Sequence, residues 1–334
     1  MSGQVAKPKI YINYIDYFRA AGLGVVVGDS GTNINEDYSD IFTYNPSNTK
    51  EFTITSIGSS MKFKAKLGDG TGEAAKLVQS INFAAYLNHN IEDLDVNYIT
   101  MYGMDVTGNL VSINTTDIHD TGGKNGFRLI SVDVNDWDAS NCYGVVFKVS
   151  LLTETIPFRL GSVIAGRTFS FPHNANLSMN IDYTADGIKK RRTLGGRDIV
   201  DINYYKQPDW DGSPPFIATN TNKLSSTSHI GRRSWALTFS FLTADNTFPQ
   251  DMGEGFMFDN AYTDGEETSW TNWGTETITS HFMTLTMNGQ LPFLFQPDDT
   301  KATFAMCRLR SNSFSVQQSA PNLYTCKMTF DETW

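Results

Sequence analysis

The 334-residue sequence has few cysteines and no long apolar run. Cys142, Cys307 and Cys326 are odd in number and none belongs to a CxxC pair, which excludes a disulfide framework and favours buried free thiols. No stretch approaches the roughly 18 consecutive apolar residues that a bilayer span requires. We therefore expect a globular chain without disulfides and without a membrane span.

Motifs for catalysis are also scarce. The five histidines lie far apart and none has HxH, HxxxH or HExxH spacing, and no GxSxG elbow is present. The glycine-rich segment 68–72 lacks the Lys-Ser/Thr ending of a phosphate loop, and its position after a predicted strand favours a hairpin turn. These absences predict a protein that is not an enzyme and that uses no cofactor.

Positive charge is in short supply. Lys and Arg number 26 against 36 Asp and Glu, so the net charge is −10, which repels phosphate backbones and argues against nucleic-acid binding. One basic cluster interrupts this pattern, at residues 189–192, in the sequence Lys-Lys-Arg-Arg. It fits an electrostatic contact with an acidic neighbouring subunit and equally fits a solvated strand end.

Aromatic residues, by contrast, are abundant, at 13% of the chain. Between residues 51 and 160, short segments alternate apolar and polar residues with a period of two, and Gly, Asn and Asp clusters separate them, which is typical of an antiparallel sandwich. The length favours two domains. We predict an all-β chain with an irregular extended arm over 1–50, a β-sandwich over 51–180 and a second β domain over 181–334. Residues 277–287, followed by Asn288-Gly289, predict the one short helix.

Several aromatic residues are candidates for partner contacts. Four belong to the Tyr-rich segment IYINYIDYF, which suits a strand or an extended arm, and three tryptophans fall in long Pro-, Ser- and Asn-rich or aperiodic segments. Flat apolar rings can bind a partner groove or a sugar ring, although packing beneath the long loops is the more ordinary role for the tryptophans. These candidates are Tyr11, Tyr14, Tyr17, Phe18, Trp210, Trp270 and Trp273.

An acidic segment is the best candidate for a metal site. Its Asp and Asn oxygens could converge on calcium, but the glycine and the distal glutamate of an EF-hand are missing, so a solvated Asx-rich loop is the favoured interpretation. The side chains concerned are Asp133, Asn135, Asp136 and Asp138.

The order of features in the C-terminal half carries a family resemblance. A Gly-Arg-Arg-Ser-Trp strand at 231–235 precedes a long loop, the predicted helix, the segment LPFLFQPDD from Leu291, and two closing strands joined by an Ala-Pro-Asn turn at 320–322. This order resembles the distal-tail and minor tail proteins of long-tailed bacteriophages, over about residues 191–334. The resemblance implies a distal-tail-like β domain.

The N-terminal half resembles the galactose-binding-like jelly rolls that occur fused to such tail proteins. The segments that carry the likeness are INFAAYLNHNI at 81–91, GFRLISVDV at 126–134, and YGVVFKVSL with IPFRLGSVIAG at 143–166. The resemblance implies a jelly-roll scaffold. Sugar binding is not carried over, because this fold is widely reused and function depends on a site.

Together these features predict a structural protein of a bacteriophage tail, in the tail tip, baseplate ring or minor-tail class, that works by self-assembly and partner contacts. The resemblance implies a homo-oligomeric ring, with six copies favoured and three second, in contact with other tail or baseplate proteins. It also implies a location in the virion tail after synthesis in the host cytoplasm. The alternatives are a carbohydrate-binding module that attaches the particle to host glycans, and a capsid or neck component. A cell-wall hydrolase would need two carboxylates about 5 to 9 Å apart, which no segment indicates.

Overall fold

A computed structural model describes fifteen parts of the chain, and the structural statements below concern these residues. They are 7–28, 37–53, 60–68, 77–91, 98–105, 107–117, 126–134, 142–150, 157–176, 180–185, 187–203, 210, 231–248, 277–311 and 315–333.

Antiparallel β-structure dominates the described residues, which confirms the predicted all-β class. The strands are β1 Lys9–Asn13, β2 Val25–Val27, β3 Lys50–Phe52, β4 Ser60–Leu67, β5 Phe83–His89, β6 Tyr98–Met104, β7 Leu110–Val111, β8 Thr115–Asp117, β9 Gly126–Val132, β10 Gly144–Ser150, β11 Phe158–Ser170, β12 Asn180–Thr184, β13 Ile188–Arg192, β14 Asp198–Ile202, β15 Arg232–Leu242, β16 Phe293–Gln296, β17 Ala305–Leu309, β18 Ser315–Ala320 and β19 Leu323–Glu332. The helical segments are α1 Tyr14–Ala20, a 3₁₀ turn Ser39–Phe42, α2 Ala244–Thr247 and a π-helix Ile278–Met283.

The strands form three sheets. The largest has the order β12-β15-β19-β17-β16-β1-β11-β5-β9-β8, with β18 beside β19 and β3 beside β11. A second sheet has the order β2-β4-β10-β6-β7, and β13 and β14 pair with each other as a separate two-stranded sheet.

The first two sheets pack face to face over the N-terminal half. The ring of Tyr86 on β5 meets that of Phe147 on β10 at 5.4 Å, and Phe52 meets Phe63 at 4.9 Å, both in edge-to-face geometry. The Tyr86 hydroxyl donates to the carbonyl of Thr100 in the opposite sheet at 2.9 Å. This aromatic layer forms the sandwich that the period-two alternation predicts.

The N-terminal segment is an interior strand and a helix, so the expected extended arm is wrong. β1 lies between β11 and β16 in the large sheet and is paired on both edges. A Cβ at Gly166 would overlap the carbonyl oxygen of Ile12, so a glycine on β11 permits this close approach. The Asn13 side chain then accepts from the amide of Ile15 at 3.2 Å and caps α1.

The predicted helix near residue 277 is confirmed, with π rather than α geometry. The Thr277 side chain caps it by accepting from the amide of Ser280 at 3.1 Å. Asn288 and Gly289 both have positive φ values, of 55° and 74°, which end the helical run as the sequence predicts. The ring of Phe282 packs the helix against the large sheet.

The two closing strands are also confirmed. β18 and β19 form an antiparallel hairpin, and Asn322 has a φ of 58° in the turn between them. Alternate side chains of β19 are buried, namely Cys326, Met328, Phe330 and Glu332.

The large sheet crosses the predicted domain boundary near 171–187 without a break. β1 joins strands of the C-terminal half, through β16, to strands of the N-terminal half, through β11. One cluster of buried apolar residues also contains members from both halves, such as Phe158 and Phe330. Separate folding of 51–180 and 181–334 stays a prediction.

Among the described residues, no helix combines the length and the apolar composition needed to cross a membrane.

Candidate assembly surface

The hairpin β13–β14 is the most exposed secondary structure among the described residues. Its register pairs Ile188 with Ile202 and Arg192 with Asp198. The turn closes with hydrogen bonds between Thr193 and Arg197 at 2.8 Å and from the Gly196 amide to the Thr193 carbonyl at 2.9 Å. The two strands make a sheet of their own, so in the described part of the chain their outer edges are unpaired.

Alternation along the two strands gives the hairpin two distinct faces. One, called here the apolar face, carries three β-branched residues together with Lys190 and the opposed Arg192 and Asp198. The other, called here the paired face, carries Lys189 opposite Asp201 and Arg191 opposite Ile199. The β-branched residues of the apolar face are Ile188, Val200 and Ile202.

No described element covers either face of the hairpin. Ile202 is 59% exposed and Val200 is 48% exposed on the apolar face, and Ile199 is 45% exposed on the paired face. A two-stranded hairpin alone in water is marginally stable at best. An uncovered hairpin with several exposed Ile and Val side chains close together is therefore a feature that contact with a partner would stabilise.

The charges of the hairpin are only partly neutralised within it. Arg191 Nε lies 3.1 Å from an oxygen of Asp201, and Arg192 Nε lies 3.9 Å from an oxygen of Asp198. These exposed pairs contribute little to stability. Within the described residues Lys189 and Lys190 form no ion pair.

The hairpin is basic and the rest of the chain is acidic. Residues 188–202 carry five basic and two acidic side chains, which leaves 21 basic and 34 acidic side chains elsewhere. The hairpin therefore has a net charge of +3 and the remaining chain a net charge of −13. The basic cluster at 189–192 thus lies on the uncovered hairpin. A contact with an acidic subunit stays a prediction, as does the alternative of a solvated strand end.

The aromatic residues predicted to contact partners are buried instead. Tyr11, Tyr14, Tyr17 and Phe18 are each less than 10% exposed. The Tyr11 hydroxyl donates to Gln296 Oε1 at 2.7 Å, and burial raises the pKa of this phenol. Tyr11 is buried because it lies on β1, and an interior strand buries side chains on both of its faces. The other three lie on α1, which packs beside β11 and contributes them to the core.

Trp210 is likewise buried, at 2% exposed, in the apolar cluster that contains Tyr11 and Phe304. The more ordinary sequence interpretation, packing into the fold, therefore holds for Trp210. Trp270 and Trp273 lie outside the described residues.

The candidate calcium segment is described only at its start. Asp133 is exposed, and its backbone amide donates to the carbonyl of Asn114 at 3.0 Å. Asn135, Asp136 and Asp138 lie outside the described residues, as does most of the glycine-rich segment 68–72. Across the described ranges, no three His, Cys, Asp or Glu side chains come close enough together to hold a metal ion.

Other polar groups serve the fold. Glu332 is buried on β19 and accepts two bonds from the Arg233 guanidinium, at 2.7 and 3.2 Å, and a third from the Arg233 amide at 2.9 Å. The guanidinium also lies over the Trp235 ring, 4.9 Å from its centre. This bidentate pair ties β15 to β19.

A groove of about 400 Å³ lies where β1 begins and β11 ends. It is lined in part by Lys9, His173 and Asp299, and the Lys9 ammonium lies 3.6 Å from the Asp299 carboxylate. The Lys9 cation is therefore already paired, which lowers its capacity to hold an anion.

No family model, curated protein or solved structure matches the chain significantly. The uncovered hairpin β13–β14 is therefore the feature of the described residues from which a function can be inferred. The sequence carried part of that signal, because the β-branched segment 199–202 after Leu-Gly-Gly indicates a hairpin. The sequence does not show whether another element covers that hairpin.

Proposed function

We propose that the protein is a virion structural protein of a bacteriophage tail, in the tail tip, baseplate ring or minor-tail class, and that it acts by self-assembly and partner contacts. The proposal includes a jelly-roll sandwich in the N-terminal half and a distal-tail-like β domain in the C-terminal half. Its subunits form a closed homo-oligomeric ring, with six copies favoured and three second.

The observation that carries the proposal is the uncovered hairpin β13–β14. Most apolar residues of the two larger sheets are buried in the core, although single exposed side chains such as Phe241 and Val26 also occur outside the hairpin. Against that background, Val200 and Ile202 remain about half exposed on a hairpin that is not stable by itself. This arrangement fits a subunit whose hairpin is stabilised, and whose exposed apolar side chains are buried, when the subunit joins an assembly.

The order of C-terminal elements supports the tail class specifically. The elements follow one another in the order on which the resemblance to distal-tail proteins depends. They are the strand that begins at Arg232, the helix at 278–283, the short strand Phe293–Gln296 and the closing hairpin. A β-rich scaffold with a projecting hairpin suits a ring, because the same surface on each copy can satisfy the next copy by rotation.

The full-length protein tests this proposal directly. Sedimentation velocity over a concentration range should show a monomer converting to one larger species, and electron microscopy of that species should show closed rings. Antibody labelling of the parent particle should place the protein on the tail. A protein that stays monomeric at every concentration and labels no tail would contradict the proposal, and monomer that binds host glycans would support the attachment module instead.

A further inference from the structure

The two faces of the hairpin β13–β14 differ in how much they need a partner. On the paired face, Arg191 and Asp201 form the shorter of the two ion pairs, and Lys189 stands opposite the same carboxylate. On the apolar face, Val200 and Ile202 are exposed side by side with Lys190, which has no carboxylate partner in the described residues. Each face therefore keeps one lysine without an ion pair, but the larger exposed apolar area lies beside Lys190 on the apolar face.

The charge distribution identifies the partner. A hairpin of net charge +3 is attracted to acidic partners, and the remaining chain, with a net charge of −13, makes every other copy such a partner. Nucleic acid is also acidic, but the rest of this chain repels it, and the apolar face offers Ile and Val rather than aromatic rings for base stacking. A second copy of this chain can both neutralise the positive charge of the hairpin and cover its exposed apolar side chains.

We infer that the apolar face of the hairpin β13–β14 binds the acidic surface of an adjacent copy of the same chain, while the paired face stays exposed to solvent. This inference rests on the proposed self-assembly and adds the surface that performs it. Val200 and Ile202 bury their apolar side chains in the contact, and Lys190 attracts the acidic partner. Because salt screens this attraction, the contact weakens as the salt concentration increases.

Adjacent residues on opposite faces provide a direct test. Val200→Cys and Ile199→Cys place one thiol on each face of the same strand, and the native thiols Cys142, Cys307 and Cys326 are buried. Alkylation is measured in dilute monomer and in the assembled species. We expect the Val200→Cys thiol to react roughly tenfold more slowly in the assembly, because buried thiols are inaccessible, and the Ile199→Cys thiol to keep its rate. Equal rates for Val200→Cys in both states would overturn the inference.

Association constants give a second, independent test with matched variants. Ile202→Thr and Ile199→Thr make the same chemical change on opposite faces and keep a β-branched side chain, so the hairpin itself is preserved. We expect Ile202→Thr to weaken association roughly tenfold and Ile199→Thr to change it less than about twofold. Melting temperatures should match the wild type, since both residues are exposed in the monomer. Equal effects of the two variants would contradict docking through one face.

Charge is tested with Lys190→Glu, and Lys327→Glu is the control. Lys327 is an exposed lysine on β19, so both variants change the net charge equally. We expect Lys190→Glu alone to weaken association, by roughly five- to tenfold at low salt, with the difference from the control vanishing near 1 M salt, where the Debye length is about 3 Å. Duplex DNA that binds the wild type and not Lys190→Glu would identify a nucleic-acid partner and overturn the inference.

The outcomes separate this inference from the proposed function. If the wild type assembles and all hairpin variants assemble equally well, the hairpin is not the contact but self-assembly stands. If the wild type never assembles, the proposed function fails and the inference fails with it.

Discussion

At the scale of single residues, Phe330 has the central position in the C-terminal core. It is fully buried, and its ring lies 5.0 Å from that of Phe295 and 5.3 Å from that of Phe293. We predict that Phe330→Ala lowers the free energy of unfolding by about 3 to 5 kcal/mol, because it leaves a cavity among these rings. Urea denaturation measures the change, and assembly yield should fall with it.

The control for Phe330→Ala is Lys327→Ala on the same strand, where the side chain is exposed. That substitution should change stability by less than about 0.5 kcal/mol. If both variants unfolded at the same urea concentration as the wild type, the aromatic cluster would not hold these strands together.

His281 is a second residue with a measurable role, in the response to acid. Its ring is buried and stacked 6.0 Å from that of Phe169, and neither ring nitrogen has a hydrogen-bond partner among the described residues. Burial, reinforced by the positive charge of Arg167, lowers the pKa of His281 to about 3. The unfolded state, with a pKa of about 6.5, therefore binds a proton more readily than the folded state.

The sign of the pH dependence follows. The stability associated with neutral His281 is complete above about pH 6.5 and is lost as the pH falls towards about 3. We predict that His281→Phe, which keeps the stacked ring, loses less stability than the wild type when the pH drops from 7 to 5, by about 2 kcal/mol. Urea denaturation of both proteins at the two pH values measures this. An unchanged pH dependence in the variant would show that His281 is not buried as a neutral ring.

At the scale of elements, β1 joins the two parts of the large sheet. It pairs with β11 on one edge and with β16 on the other, and its side chains enter apolar clusters on both faces of the sheet. We predict that deletion of residues 1–20 abolishes cooperative unfolding, because it removes an interior strand together with the helix α1. Circular dichroism during heating measures this.

Deletion of residues 1–6, which stops short of β1, is the matched control and should leave the melting curve close to that of the full chain. A cooperative melt after deletion of 1–20 would mean that β11 and β16 can close the sheet without β1.

At the scale of the whole molecule, the predicted division near residue 180 can be tested on a fragment. Residues 1–180 keep the second sheet and the strands from β1 to β11, so the aromatic layer around Tyr86 and Phe147 stays intact. The same fragment loses β16 and exposes the edge of β1. We predict a β-type spectrum and a cooperative melt at a lower temperature than the full chain, with a tendency to associate through the exposed edge.

An unfolded fragment would instead show that the two halves share one core. The complementary fragment 181–334 serves as the comparison, because it lacks β1 and β11 and should be the less stable of the two.

Local patterns in the sequence were enough to predict the all-β class, the closing hairpin and the helix near residue 277. These features depend on neighbouring residues: alternation with a period of two sets a strand with one buried face, and Asn288-Gly289 can adopt the left-handed conformation that ends a helix. The basic cluster at 189–192 was visible for the same reason.

The tertiary structure alone decided which aromatic residues are available to a partner. The segment containing Tyr11 and Phe18 has the same local composition whether it is an exposed arm or an interior strand, and the difference depends on β11 and β16, which are more than 140 residues away in the chain. Conversely, Val200 and Ile202 have the pattern of a half-buried strand, yet they stay exposed because no described element covers their hairpin. Burial is a property of distant contacts, which the sequence of one segment does not contain.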